Sequence, residues 1–188
     1  MLFRSCYPMS QPKLLISQNK LNLIIKRFAL QLIELHGDFS STAIIGLQPR
    51  GIQLSKRLVE AITELQPETN VKYGELDHTF FRDDIGRGEI FMPKKSHINF
   101  STENLNIILV DDVLYTGRSV RASIDALMSF GRPKQVELMV LVDRRFQREL
   151  PISPNYTGVV VDSRSTGEHV KVDWSLDHPQ VWLLSSKE

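Results

Sequence analysis

A single cysteine, Cys6, stands among 188 residues, so the chain can form no internal disulfide, and one thiol near a terminus is a poor metal ligand or nucleophile. Charge of one sign is equally scarce. Lys and Arg total 23 against 22 Asp and Glu, a formal net charge of +1, and no overall field advertises a nucleic acid or a membrane. A long hydrophobic run is missing too. Residues 21–35 are the most apolar helical stretch, but Lys26 and Arg27 interrupt it and it falls short of the ~20 apolar residues of a membrane span. The first dozen residues hold no uninterrupted apolar stretch of the kind a secretion signal needs. Residues 1–13 therefore read as a loose arm ahead of one domain, residues 14–188, in a cytoplasmic protein. His36, His78, His97, His169 and His178 lack the spacing of a zinc site and read as surface or loop positions.

What is present is ordinary for a globule: 41% hydrophobic and 24% charged residues. A domain of this length removes roughly 70% of its unfolded surface from water. Leu21, Ile24, Ile25, Phe28, Leu32 and Leu35 recur at helical spacing before Gly37. Residues 42–46, TAIIG, form a short β-branched run, followed by a second amphipathic pattern at Leu54, Leu58, Ile62 and Leu65 that Pro67 ends. Residues 71–77 predict another strand. Residues 80–101 are charged and without clear period, as expected of a mobile loop or hairpin over a site. Residues 106–110, NIILV, predict a fully buried strand, and Val120, Ile124, Leu127 and Met128 mark the helix after it. Strands follow at 136–142, 157–162 and 180–184, with a turn-rich connection at 151–156. Such alternation predicts an α/β fold: a central, mostly parallel sheet flanked by helices, with ligands at the carboxyl ends of its strands.

The chemistry concentrates where the apolar run at 106–110 stops. Asp111 and Asp112 follow it at once, and Tyr115, Thr116, Gly117, Arg118 and Ser119 lead into the helix. A helix start offers unpaired N–H groups and a positive dipole end; Thr116 and Ser119 add hydroxyls, and Gly117 permits close approach. Those features suit a phosphate monoester. Two carboxylates beside a phosphate need partners of their own, such as sugar hydroxyls or a metal ion, and a ribose 5-phosphate supplies the hydroxyls with the phosphate. The alternative is that the two acids only cap the helix and the glycine only serves the turn.

The string IILVDDVLYTGRS resembles the phosphoribosyl-pyrophosphate (PRPP) motif of the type I phosphoribosyltransferases: apolar strand, two acids, spacers, then Thr-Gly and a small hydroxyl residue. The resemblance implies that fold, with a mobile loop or hood over the active site, and it implies Mg2+ as cofactor. By it, Asp111 and Asp112 hold the ribose hydroxyls, and Thr116, Gly117, Arg118 and Ser119, with Tyr115, form the phosphate loop. Gln48, Pro49, Arg50 and Gly51 resemble the family's pyrophosphate loop, with Arg50 as its basic side chain. Asp143 matches the acid that meets magnesium through water, Arg148 the basic residue that reaches pyrophosphate, and Arg82 falls in FRDD at 81–84, where the closing loop begins. Without the resemblance, the Pro-containing turn and the charged runs read as plain turn and solvated surface.

Over residues 14–184 the sequence resembles more narrowly the PyrR family, regulators of pyrimidine operons that are also uracil phosphoribosyltransferases. The likeness is strongest in GELD at 74–77, FRDD, VDDVLYTGRSVRASIDAL and LVDRRFQRELPISPNYTG. It implies PRPP, uracil and UMP as ligands, a pyrimidine-operon leader RNA as a partner of many members, and a homo-oligomer of two or more chains. Tyr115 supports a pyrimidine, because purine-salvage relatives carry an acid there and a phenol of pKa about 10 handles a proton poorly. The helix at 21–35 and the tail at 161–181 depart from the family pattern, which puts RNA binding in question. Lys13, Lys20, Lys26 and Arg27 are the basic residues that would serve it. An RNA-binding attenuator that senses UMP with weak catalysis is the competing reading, and purine salvage the third.

Overall fold

The computed structural model describes residues 12–83, 94–162, 167–175 and 178–185. Five strands form the central sheet: β2 (Thr42–Leu47), β3 (Lys72–Leu76), β4 (Asn106–Leu114), β5 (Gln135–Asp143) and β6 (Tyr156–Val160). They pair in the order β3-β2-β4-β5-β6, and every pairing is parallel. Three helices, α1 (Gln18–His36), α2 (Gly51–Leu65) and α3 (Arg118–Leu127), cover it. Parallel strands covered on both faces must be apolar on both, and β2 is buried at all six positions.

The core falls into two clusters on either side of the sheet. One joins Phe28 and Leu32 of α1 and Leu54, Leu58 and Ile62 of α2 to Ile44, Ile108 and Val110. The other joins Val120, Ala126 and Leu127 of α3 to Ile45, Leu109 and Val140. The period-2 alternation of each strand thus feeds one residue to each side in turn.

A second, smaller sheet was not anticipated. Its strands β1 (Lys13–Ile16), β8 (Gln180–Ser185) and β7 (Glu168–Asp173) lie in that order and are antiparallel. Lys13, assigned by its sequence context to the arm, opens β1 and pairs with Leu183; residues 1–11 of that arm lie outside the described residues. So do residues 84–93 of the expected mobile loop, whose flanks are a short 3₁₀ turn at Thr79–Phe81 and a bridge between Glu75 and His97. Among the described residues no helix is long and apolar enough to cross a membrane.

Two expectations about position need correcting. The strand predicted to stop at Val110 continues to Leu114, so Asp111 and Asp112 belong to β4, with Asp111 paired to Val140 and Val113 to Val142. His36 is neither a surface nor a loop group, and His78 keeps its loop position after β3. His36 packs at the end of α1 against Thr42, Tyr156 and Glu137, and His78 is buried.

Candidate active site

Between β2 and β4 the chain reverses its direction of travel across the sheet: β3 lies on one side of β2, and β4, β5 and β6 lie on the other. A crevice opens at such a switch point, outside the carboxyl ends of the strands. Here it is a cleft of about 560 Å³. Gln48, Pro49 and Arg50 line it from the turn after β2, and Arg82 from the segment after β3. Asp111, Asp112 and all of Tyr115, Thr116, Gly117, Arg118 and Ser119 line it from β4 and the turn into α3.

The turn into α3 is built for close approach. Gly117 has φ of 92°, a left-handed conformation that side-chain-bearing residues rarely adopt, and it precedes the first turn of α3. The backbone N–H groups of Glu149 and Leu150 donate to the Thr116 carbonyl at 3.0 and 3.2 Å, fastening the loop from behind. Arg82 donates to the Ser119 hydroxyl at 3.4 Å. The side chain of Arg118 reaches outward, to Asp83 at 2.6 Å and Glu149 at 2.5 Å.

Asp111 and Asp112 are an uneasy pair. The N–H of Asp112 donates to a carboxylate oxygen of Asp111 at 2.9 Å, but burial pushes the Asp111 carboxyl well above the ordinary value, and the neighbouring Asp112 charge pushes it further. Burial raises Asp112 too, against the pull of Arg50, which lowers both. A ligand that donates hydrogen bonds, or a cation, relieves this strain by favouring the charged forms. Their oxygens are also the hard donors that magnesium takes, so the pair fits an Mg2+-assisted ribose site.

Three residues singled out in the sequence do not line the cleft. Gly51 begins α2 with the Val110 carbonyl so near that an added Cβ would lie 2.2 Å from it, which makes the glycine a condition of packing α2 onto β4. Asp143 is buried and accepts a hydrogen bond from Arg148, which also donates to the Tyr115 carbonyl. That ion pair stands behind the turn at residues 115–119. Conversely, the cleft is lined by His78 and Thr79 beyond β3, by Arg144 after β5, and by His169 and Val170 of β7. The small antiparallel sheet thus forms one wall, as a hood would. Sequence patterning missed His78, Thr79, His169 and Val170 because no period or motif marks them, and Arg144 because it is one of three arginines in DRRFQREL.

A parallel sheet with a hydroxyl-rich turn and paired acids at its switch point defines a nucleotide-type transferase site, and the comparisons with known proteins agree. The phosphoribosyl transferase domain family matches residues 15–176. A hypoxanthine-guanine phosphoribosyltransferase of Bacillus anthracis superposes with a TM-score of 0.65 at 18% identity, over 95% of this chain and 99% of that one. The hypoxanthine phosphoribosyltransferase of Trypanosoma cruzi gives 0.67 at 14%, over 93% and 97%; at such identities the likeness is one of fold. In sequence, the chain is 41% identical over 158 residues to the bifunctional protein PyrR of Gloeothece citriformis, covering 84% of this chain and 88% of that protein. It is 40% identical to that of Caldicellulosiruptor bescii over 167 residues, 88% and 91% of the two chains. The chain belongs to the phosphoribosyltransferases and, within them, to the PyrR family.

Proposed function

We propose that this protein transfers the 5-phosphoribosyl group of PRPP to uracil, giving UMP and pyrophosphate. The observation that carries the reading is convergence: the acid pair with the Thr116 to Ser119 turn, Arg50 and Arg82 line one cleft from three separate stretches of chain. Membership of the PyrR family supports uracil as the acceptor, as does the phenol of Tyr115 where a purine enzyme of this class has an acid.

In the reaction, N1 of uracil gives an electron pair to the anomeric carbon while the bond from that carbon to pyrophosphate leaves with its own pair. The N1 proton passes to pyrophosphate. Asp111 and Asp112 accept hydrogen bonds from the ribose hydroxyls, and the N–H groups and hydroxyls of residues 116–119 hold the 5-phosphate, so the anomeric carbon stays fixed between nucleophile and leaving group. Arg50 and Arg82 stabilise the charge that pyrophosphate gains. Magnesium, when bound, would neutralise part of the pyrophosphate charge, with Asp111 and Asp112 near it through the ribose. A role for Asp143 and Arg148 in metal and pyrophosphate binding would require their ion pair to open.

The PyrR family is also one of RNA-binding regulators, and we extend leader-RNA binding to this chain as a second activity. Of the basic residues available on and beside α1, Arg27 already donates to the Thr157 and Gly158 carbonyls at 2.9 and 3.2 Å and Lys20 to the Leu15 carbonyl at 3.5 Å, so Lys13 and Lys26 are the better phosphate contacts. The reading includes self-association into two or more chains, which a light-scattering mass checks.

The deciding assay supplies PRPP and magnesium with uracil, hypoxanthine or guanine in turn and follows pyrophosphate release. Uracil alone should react. Turnover of hypoxanthine with none of uracil would overturn the assignment.

A further inference from the structure

Arg82 enters the cleft from the end of the 3₁₀ turn Thr79–Phe81, and that turn has no buried residue. Phe80 is 77% exposed and Phe81 40%. Apolar packing therefore does little to fix where the turn lies, and polar contacts hold it instead. At its start, the Asp77 carboxylate accepts from the Thr79 N–H at 2.6 Å and from the Lys94 N–H. At its end, Nη2 of Arg121 on α3 donates to the Phe81 carbonyl at 2.9 Å.

Arg121 is itself held in place. Its Nη1 pairs at 3.2 Å with Asp125, one helical turn further along α3, which orients the guanidinium. Its Nη2 also lies 3.9 Å from the Asp83 carboxylate, which Arg118 grips at 2.6 Å. Both neighbours of Arg82 are thus tied to α3, Phe81 by its carbonyl and Asp83 by its carboxylate. Between them, Arg82 donates to the hydroxyl of Ser119 in the first turn of the same helix. The helix that follows the phosphate turn therefore also sets the place of Arg82.

These ties contribute little to stability, because Arg121, Asp83 and Asp125 are all open to solvent, which screens their charges. Their value is geometric. A cation that stabilises developing charge has to stand close to where that charge appears, and a small misplacement is expensive in rate. An arginine carried on a turn without apolar anchorage loses its placement once the carbonyl beside it is released. Arg121 does not line the cleft, whereas Arg82 does, so any influence it has on the reaction passes through Arg82.

Resting on the role given to Arg82 above, we infer that Arg121 is a positioning residue for the transfer: by holding the Phe81 carbonyl it sets Arg82 against the departing pyrophosphate. Arginine suits the task because its planar fork engages Phe81 and Asp125 at once. Lysine would keep the charge and lose the second attachment.

The test is a double-mutant cycle on kcat for pyrophosphate release from PRPP and uracil, using Arg82→Ala, Arg121→Gln and the two combined. Loss of a charged hydrogen bond to the leaving group predicts that Arg82→Ala lowers kcat by about 10- to 100-fold. Misplacement of the same group predicts a fall of about 5- to 30-fold for Arg121→Gln, with Arg121→Lys between it and the wild type. In the Arg82→Ala background the Arg121 change should cost no more than about twofold. KM for uracil should stay within about twofold throughout. Thermal melting accompanies each variant, and if Arg121→Gln fails to fold, Arg121→Lys takes its place in the cycle. An unchanged kcat, or a loss of equal size with and without Arg82, overturns the inference. An Arg82→Ala protein as active as the wild type, or a wild type that does not turn over uracil, refutes the reading of the reaction itself, and the inference falls with it.

Discussion

The two ends of the central sheet treat buried polar groups in opposite ways. At the amino end, Glu137 of β5 accepts from the Tyr156 hydroxyl and from Gln135 at 3.1 Å, while His36 lies 3.4 Å from the same carboxylate and 3.2 Å from the Thr42 hydroxyl. The site is closed and each of these side chains has a partner. Burial, and then the hydrogen bond to Glu137, push the Tyr156 phenol well above its usual value, so it remains a donor. At the carboxyl end, Asp111 and Asp112 stay raised by burial against the pull of Arg50 and of backbone N–H groups, and among the described residues Arg144 holds two donors without a partner. Satisfied polarity at one end contributes to stability; unsatisfied polarity at the other awaits a ligand.

The contrast predicts opposite responses to mutation. The largest effect should come from Asp112→Asn, which loses at least about 100-fold in pyrophosphate release, yet melts no lower than the wild type because it removes an unfavourable buried charge. A melting point that fell with the activity would erase the distinction between the two ends. Next, Glu137→Ala should cost about 2–3 kcal/mol by stranding the Tyr156 and Gln135 donors, lowering the melting temperature by roughly 4–12 °C, while kcat at low temperature is kept.

The third effect is a pH slope. A carboxyl whose pKa is raised on folding binds its proton more tightly in the native state, so stability falls as pH climbs from the ordinary 3.8 through the higher folded value of Asp111. Denaturant midpoints measured from pH 4 to pH 8 should show a component of that sign, and Asp111→Asn should remove it; a slope unchanged in the variant would assign it elsewhere. Smallest of all is Asp83→Asn, at the exposed rim. Its pair with Arg118 is open to solvent, so the change should move stability by less than about 0.5 kcal/mol in a chemical melt.

The parts of this arrangement that could be read in advance are those carried by contiguous pattern. The run IILVDD followed by TGRS announces a buried strand, an acid pair and a loop, because apolar, acidic and turn residues change over abruptly there. The end of β4 could not be read, since hydrogen bonding to β5 carries the strand past the last apolar residue of that run. The small sheet escaped because β1 has only four residues and its partner β8 lies at the far end of the chain. Arg144 escaped for a different reason. In DRRFQREL three arginines look alike, and only the fold buries one, pairs Arg148 with Asp143 and leaves Arg145 exposed.

The most direct trial is a crystal structure with UMP and magnesium. The ribose hydroxyls should lie within hydrogen-bonding distance of the Asp111 and Asp112 carboxylates, and the phosphate should rest on the N–H groups of residues 116–119. A nucleotide bound elsewhere, or seated with its sugar turned away from both acids, would contradict the account.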